Sequence, residues 1–287
     1  MIAQKSSLLQ KLLSTESEWN PKVMLGRVIS RTVPDSTLHR LKKVYYTYLM
    51  RHTPEDWMEP DAFVAKHLIA PGDTVLDVGA NLGFYARLLS RCVGQSGRVY
   101  AFEPIPQTFD FLANNVVKLG LKNVEVLDFA LSDTDKTVTM VIPTYRWGQE
   151  SWYDARVKTE DGNPAWRQIE VRSRTLDNFF AERGGAPQIN FIKCDAEHHE
   201  LAVLHGAWQT IRASHPAMLI EVYPDPDDPA TTAYATFELL RTEGYQPYWF
   251  NGEALLPRNR GERSQNYFFL TSAHVNKPEM NQLAKRA

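Results

Sequence analysis

The chain has 287 residues, 43% of them hydrophobic and 23% charged, which suits a folded protein with one sizeable α/β core and room for an appendage. Its 32 Lys and Arg against 34 Asp and Glu leave a net charge of −2, with no basic footprint for nucleic acid or for an anionic membrane. Two cysteines, Cys92 and Cys194, are too few and too scattered for a disulfide framework or a zinc knuckle, so a reduced, cytoplasmic setting is expected.

The opening MIAQKSSLLQKLLSTESEW has no uninterrupted apolar run and no small-residue cleavage site, and no signal peptide is expected. No window approaches the roughly eighteen apolar residues of a membrane span. Residues 1–70 have a helical texture: Leu8, Leu9, Leu12 and Leu13 fall at helical spacing, and Leu38, Leu41, Val44, Tyr45 and Leu49 do so again. Such stripes predict a helical extension that packs on the main domain or on a twin subunit, giving a homodimer through the N-terminal helices. A lid over a substrate is the alternative.

From Pro71 strand and helix signals alternate. TVLDV (74–78) is a strand, Phe84 to Val93 a helix, RVYAFE (98–103) a second strand, and Pro106 to Leu119 a second helix. NVEVLDFAL (123–131) reads as one third strand, and TVTMVI (137–142) and QIEVRS (168–173) alternate as edge strands would. NFIKCD (190–195) is the fourth core strand, followed by one helix to about Arg212 with Leu201, Leu204, Trp208 and Ile211 on its buried face. AMLIEV (217–222), a helix over 231–243 and strands near 246–250 and 266–271 complete the domain, 71–273, and 274–287 is a C-terminal tail. This alternation predicts a doubly wound, Rossmann-like parallel sheet that binds its ligand beyond the carboxyl ends of the strands. An excursion over 143–169 interrupts it, rich in Tyr145, Trp147, Trp152, Tyr153 and Trp166. It is either an acceptor-binding flap or a β-excursion that packs its own aromatics.

The strongest chemical signal is Val75-Leu-Asp-Val-Gly-Ala-Asn-Leu-Gly83. Gly79 and Gly83 let the backbone turn and approach a ligand, while Asp77 and Asn81 bring polar atoms to that turn. Glu103 closes the next strand, where a carboxylate can accept both hydroxyls of a ribose. The dehydrogenase pattern G-x-G-x-x-G is absent, as is a Tyr-x-x-x-Lys relay, which counts against a nicotinamide-dependent oxidoreductase. A non-catalytic binding protein with a dead site is the other rival, disfavoured by the joint presence of Asp77, Gly79, Glu103, Asp195 and Glu197.

Asp77 to Gly83 followed by Ala101-Phe-Glu-Pro104 resembles the class I S-adenosylmethionine-dependent methyltransferases. Ala130-Leu-Ser-Asp133, Ser151, Thr175-Leu-Asp177, Phe191 to Glu200, Leu204-His-Gly-Ala207 and Leu219-Ile-Glu221 make it similar to the FkbM family within them. The resemblance covers roughly residues 60 to 271. It implies a seven-stranded sheet with an antiparallel last strand, and O-methyl transfer from S-adenosyl-L-methionine to a hydroxyl of a sugar, glycan or secondary metabolite, as in natural product biosynthesis. It also implies that Asp77, Gly79, Asn81 and Gly83 surround the methionine moiety, that Glu103 holds the ribose, and that Asp128, Phe129 and Ala130 flank the adenine.

The stretch Lys193-Cys-Asp-Ala-Glu-His-His-Glu200 lies where an acceptor would meet the methyl group. If a helix starts there, Asp195 and His199 share a face, with His199 as the base and Asp195 orienting it or facing the sulfonium; the structural alternative for Asp195 is a helix N-cap. Ser151, Trp152, Glu197, His198 and Glu221 are acceptor-binding candidates. The family pattern has Gly where His198 stands, so this rim is expected to differ from its relatives. A divalent metal on Asp195, His199 and Glu221 is the disfavoured alternative. His67, His205 and His215 are expected to be structural or exposed, Lys193 either outward-facing or in contact with the acceptor, and Asn266 near the site.

Overall fold

The computed structural model describes residues 34–54, 60–144, 150–152, 154–158, 165–223, 225–280 and 283. The expected leucine stripe at Leu8 to Leu13 and the aromatics Tyr145, Trp147 and Tyr153 lie outside them. Helices α1 (Asp35–His52) and α2 (Asp61–Leu68) precede strand β1 (Thr74–Val78), α3 (Phe84–Val93), β2 (Arg98–Phe102), α4 (Pro106–Leu119) and β3 (Val124–Leu127). Then come β4 (Ala130–Leu131), β5 (Lys136–Ile142), β6 (Arg156–Val157), β7 (Arg167–Arg174), α5 (Leu176–Ala181), β8 (Phe191–Cys194), α6 (Glu200–Gly206) and α7 (Trp208–Ser214). The chain closes with β9 (Ala217–Glu221), α8 (Thr232–Thr242), β10 (Gln246–Phe250), β11 (Leu255–Pro257), β12 (Asn266–Leu270) and α9 (Ser272–Val275).

The main sheet runs β11-β10-β12-β9-β8-β1-β2-β3. Strands β3, β2, β1, β8 and β9 are mutually parallel, and β12 runs antiparallel to both neighbours, as expected of the last strand. The sheet has eight strands rather than seven, because three-residue β11 folds back on β10 at the edge. Alternation sends Leu76, Val78, Ile192, Cys194, Met218 and Ile220 to one core layer with α5, α6 and α8. Val75, Val99, Phe191, Leu219 and Phe268 go to the other, with Val64, Ala65 and Leu68 of α2 and Leu89 and Val93 of α3. Met280 and Leu283 are buried in that second layer.

Three expectations change. The third strand breaks at Asp128 and Phe129, and its second half, β4, joins another sheet. The supposed edge strands β5 and β7 pair with each other instead, in a four-stranded sheet ordered β4-β7-β5-β6. The single helix to Arg212 is two, α6 and α7, meeting at Ala207. Helix α1 packs on α4: His39 and Lys43 reach Asp110 at 2.5 and 2.7 Å, Thr47 donates to Asn115 at 2.7 Å, and Tyr46 meets Phe111 edge-on. Among the described residues no helix is long and apolar enough to cross a membrane.

Candidate active site

Strand order reverses between β1 and β8, and a pocket opens at their carboxyl ends, as the doubly wound rule requires. Asp77, one residue before the end of β1, is fully buried, and among the described residues neither carboxylate oxygen has a partner at hydrogen-bond geometry. Gly79 follows at φ +72°, and a Cβ there would fall 1.9 Å from the carbonyl oxygen of Asp195. Only glycine lets the β1 turn lie so close to the β8 turn. Asn81 adopts the left-handed conformation at φ 51°, which its side chain tolerates, and Gly83 caps α3.

Glu103 leaves the end of β2 and is also buried. Its Oε2 accepts from the Asn81 N–H and its Oε1 from the Ile105 N–H, both at 2.9 Å, which fixes the carboxylate and leaves one lone pair on each oxygen. Gly79, Asn81, Glu103, Phe129 and Ala130 line the pocket together. Asp128 does not. Its exposed side chain pairs with Arg172 at 2.8 Å, because the break after β3 turns Phe129 inward and Asp128 out.

Beyond β8 the local expectation fails. No helix starts at Asp195. Residues 195–199 form a turn in which Glu197 and His198 both have positive φ, 51° and 73°, and α6 begins at Glu200 without a side-chain cap. Asp195 and His199 therefore share no helical face, and Asp195 caps nothing. The buried Glu200 causes this: its Oε1 accepts from the Ala196 and His198 N–H groups at 2.9 and 3.2 Å and pins the turn. Asp195 instead accepts from Lys193 at 2.9 Å. Lys193 is buried, beside the Gly79 carbonyl at 3.4 Å and 5.2 Å over the Tyr85 ring, so it does not face outward. The Nε2 of His199 meets the Ser132 hydroxyl at 2.9 Å, and that hydroxyl donates to Asp133 at 3.2 Å. Glycine at 206 permits this junction, since a Cβ there would lie 1.9 Å from the Ser132 carbonyl oxygen.

Asp195, Glu197 and His199 line the pocket with Trp152. Oxygens of Asp195, Glu197 and Glu221 lie within 4.8 Å of one another, so the third member of the polar cluster is Glu197 and not the expected His199. His198 is exposed, its ring 5.4 Å from that of Tyr223. Ser151 is buried and donates to Asp154 at 2.7 Å, outside the lining. Asn266 pairs in register with Glu221 but donates to Asp61 at 3.1 Å. His67 bonds the Phe63 carbonyl within its own helix. Lys193 and Glu200, the two residues that set the turn, carry only a weak sequence signal: a charge inside an apolar strand and a carboxylate in a helix's first turn.

Electrostatics follow the burial. Desolvation pushes the Asp77 carboxyl up to about 6 and that of Glu103 up to about 7, against the pull of Lys193. Glu197 rises to about 8 through burial and the charges of Asp195 and Asp154. Glu221 is raised by burial and by Asp195 and Glu197, whereas burial lowers His199.

Residues 77–247, more than half of the chain, match the model of the methyltransferase FkbM domain. The chain is 26% identical over 172 residues to the hexuronic acid methyltransferase AglP of Haloferax volcanii, covering 60% of this chain and 64% of that protein. It is 37% identical over 76 residues to a protein-L-isoaspartate O-methyltransferase of Aeropyrum pernix, covering 26% of this chain and 28% of that one. The chain thus spans less than two thirds of either relative's length. Among solved structures it resembles methyltransferase FkbM from Methylobacillus flagellatus, with 15% identity, a TM-score of 0.45, and coverage of 85% of this chain and 57% of that one.

Proposed function

The chain belongs to the FkbM methyltransferase domain family, and from that premise we propose that it transfers a methyl group from S-adenosyl-L-methionine to a hydroxyl of a sugar, glycan or secondary metabolite. One observation carries the reading. Three successive strand ends present a buried carboxylate without a partner, a glycine turn no Cβ could enter, a fixed carboxylate and a buried aromatic, namely Asp77, Gly79, Glu103 and Phe129. Asp77, Gly79, Asn81 and Gly83 would hold the methionine portion, Glu103 the ribose, and Phe129 with Ala130 the adenine. The bound donor supplies an electrophilic methyl group. The protein's own part is to hold an acceptor oxygen in line with it and to keep competing water out.

The acceptor side is the end of β8 and β9, where Asp195, Glu197 and Trp152 meet. An indole face suits a sugar ring, and carboxylates suit its hydroxyls. The name of AglP refers to an acidic sugar. Here the cluster of Asp195, Glu197 and Glu221 favours a neutral acceptor, since a second carboxylate would be repelled. Calorimetry is expected to show S-adenosyl-L-methionine binding that weakens at least about tenfold in Asp77→Ala and in Glu103→Ala, a loss of some 1.4 kcal/mol. Binding of NAD in its place would overturn the reading. A methyl-donor assay across neutral glycosides, polyols and uronic acids, with and without EDTA, then ranks acceptors and tests the disfavoured metal.

A further inference from the structure

Methylation of a hydroxyl leaves one proton over, and resting on the methyltransferase reading, its destination can be argued from the turn after β8. Asp195, Glu197 and Glu221 bring three carboxylate oxygens within 4.8 Å of one another from two strand ends and a turn. The charged groups facing Glu197 are Asp195 and Glu200 of its own segment, Asp154 of the excursion, Lys193 of β8 and Glu221 of β9. Lys193 is the one cation among them, and it is shared. Its strand pairs in register with β1 so that Lys193 sits opposite Asp77, whose two oxygens are buried and, among the described residues, without a partner at hydrogen-bond geometry. So many carboxylates around one ammonium cannot all be ionised near neutral pH, and the set holds at least one proton in common.

The members are not equivalent. Asp195 is bound by Lys193, and Glu200 is committed to two backbone N–H groups. Glu221 lies outside the pocket lining, whereas Glu197 lines it and its carboxyl makes no hydrogen bond to another described residue. His199 also lines the pocket, but Ser132 holds its Nε2, and the carboxylate expected to orient it belongs to Lys193.

We propose that Glu197 takes the proton of the acceptor hydroxyl, with Asp195 and Glu221 sharing the charge, and that His199 is a positioning residue that ties the turn to Ser132. In that step the acceptor oxygen bonds to the methyl carbon, the carbon–sulfur pair stays on sulfur, and the hydroxyl proton moves to a Glu197 oxygen and from there to solvent. Glu221 keeps the common proton, and Glu197 becomes able to accept as it ionises with rising pH.

Two measurements test this. In the cofactor-free protein with carboxyl-labelled glutamate, carbon-13 spectra should show Glu197 and Glu221 titrating in linked steps well above the ordinary glutamate range near about 4.3, and Glu221→Gln should move the Glu197 step downward. In turnover, Glu197→Gln should lower kcat about a hundredfold or more and remove its rise with pH, with donor affinity kept within about threefold by calorimetry. Glu197→Asp should restore part of the rate, and His199→Gln should keep the rise. A Glu197 carboxyl that titrates near about 4.3 overturns the proposal. So does a His199→Gln variant that loses the pH dependence while Glu197→Gln retains it. Failure to bind the donor at all would instead remove the methyltransferase reading, and the titration in the free protein would still decide about the cluster.

Discussion

His198 stands at φ 73°, in a conformation that costs a residue with a Cβ about 1–2 kcal/mol, and the glutamate before it is also left-handed. A glycine here would avoid that cost. His198→Gly is therefore expected to raise stability by roughly 0.5–1 kcal/mol, read as a rise in the thermal midpoint, offset in part by the lost contact with Tyr223. Asp77, Gly79, Gly83 and Glu103 were legible in the sequence because each does a local job: a strand end, a tight turn, a helix start. The pairing of Asp195 with His199 was a helical extrapolation, and it fails because Glu200, four and two residues from the amides it binds, bends the chain first. Lys193 was ambiguous for the opposite reason. Strand alternation shows which face it takes but not that Asp195 and the Gly79 carbonyl wait there.

The four-stranded sheet was visible only in pieces. Periodicity reveals β5 and β7 as alternating strands, yet a strand's own residues do not name its partner, and the register of β5 on β7 is a tertiary fact. The break at Asp128 was hidden because Phe129, Ala130 and Leu131 continue the apolar run of β3 without a turn residue. Trp152 links this second sheet to the rest: it stacks on Phe111 of α4 at 6.2 Å, lies under Lys42 of α1 at 4.9 Å, and forms part of the pocket wall. Trp152→Ala should then act in two places at once. Amide hydrogen exchange in α1 is expected to quicken, and the KM for the acceptor to rise by a factor of about 3–10, the equivalent of losing an aromatic contact of 0.5–1.5 kcal/mol. Exchange confined to the excursion, with α1 unchanged, would show that the indole does not connect the two.

Titration behaviour belongs to the folded chain as a unit. Asp77, Glu103 and Glu197 rise to about 6, 7 and 8, whereas unfolded carboxyls titrate near about 4. Between those limits the folded state binds more protons than the unfolded one. Their contribution to stability is thus complete below about pH 4 and is lost as pH rises through 6 to 8. Surface carboxylates such as Asp110, Asp133 and Glu125, held low by hydrogen bonds to their neighbours, act in the opposite sense and lose their contribution only at acid pH. The cofactor-free protein is expected to melt at a lower temperature at pH 8.5 than at pH 6. Asp77→Asn should flatten that slope and stabilise the free protein by roughly 2 kcal/mol at pH 8, even as it weakens donor binding. Scanning calorimetry across that range gives the sign directly. The architecture itself was readable because alternating strands and helices leave few topologies. The eighth strand was not, since Leu255 to Pro257 are three residues without a pattern of their own.

The antiparallel β12 is the last of the described strands in chain order, yet it sits between β9 and β10. During synthesis the sheet therefore waits with a gap. Until residue 270 has emerged, β9 and β10 each carry a bare edge, and Phe268 and Phe269, which fill the two core layers there, are missing. A nascent chain that stops near residue 260 would hold strands β1 to β3 with Asp77, Gly79 and Glu103 and still expose two unpaired strand edges. Translation arrest or a nonsense codon in this stretch would leave a chain whose open strand edges favour aggregation.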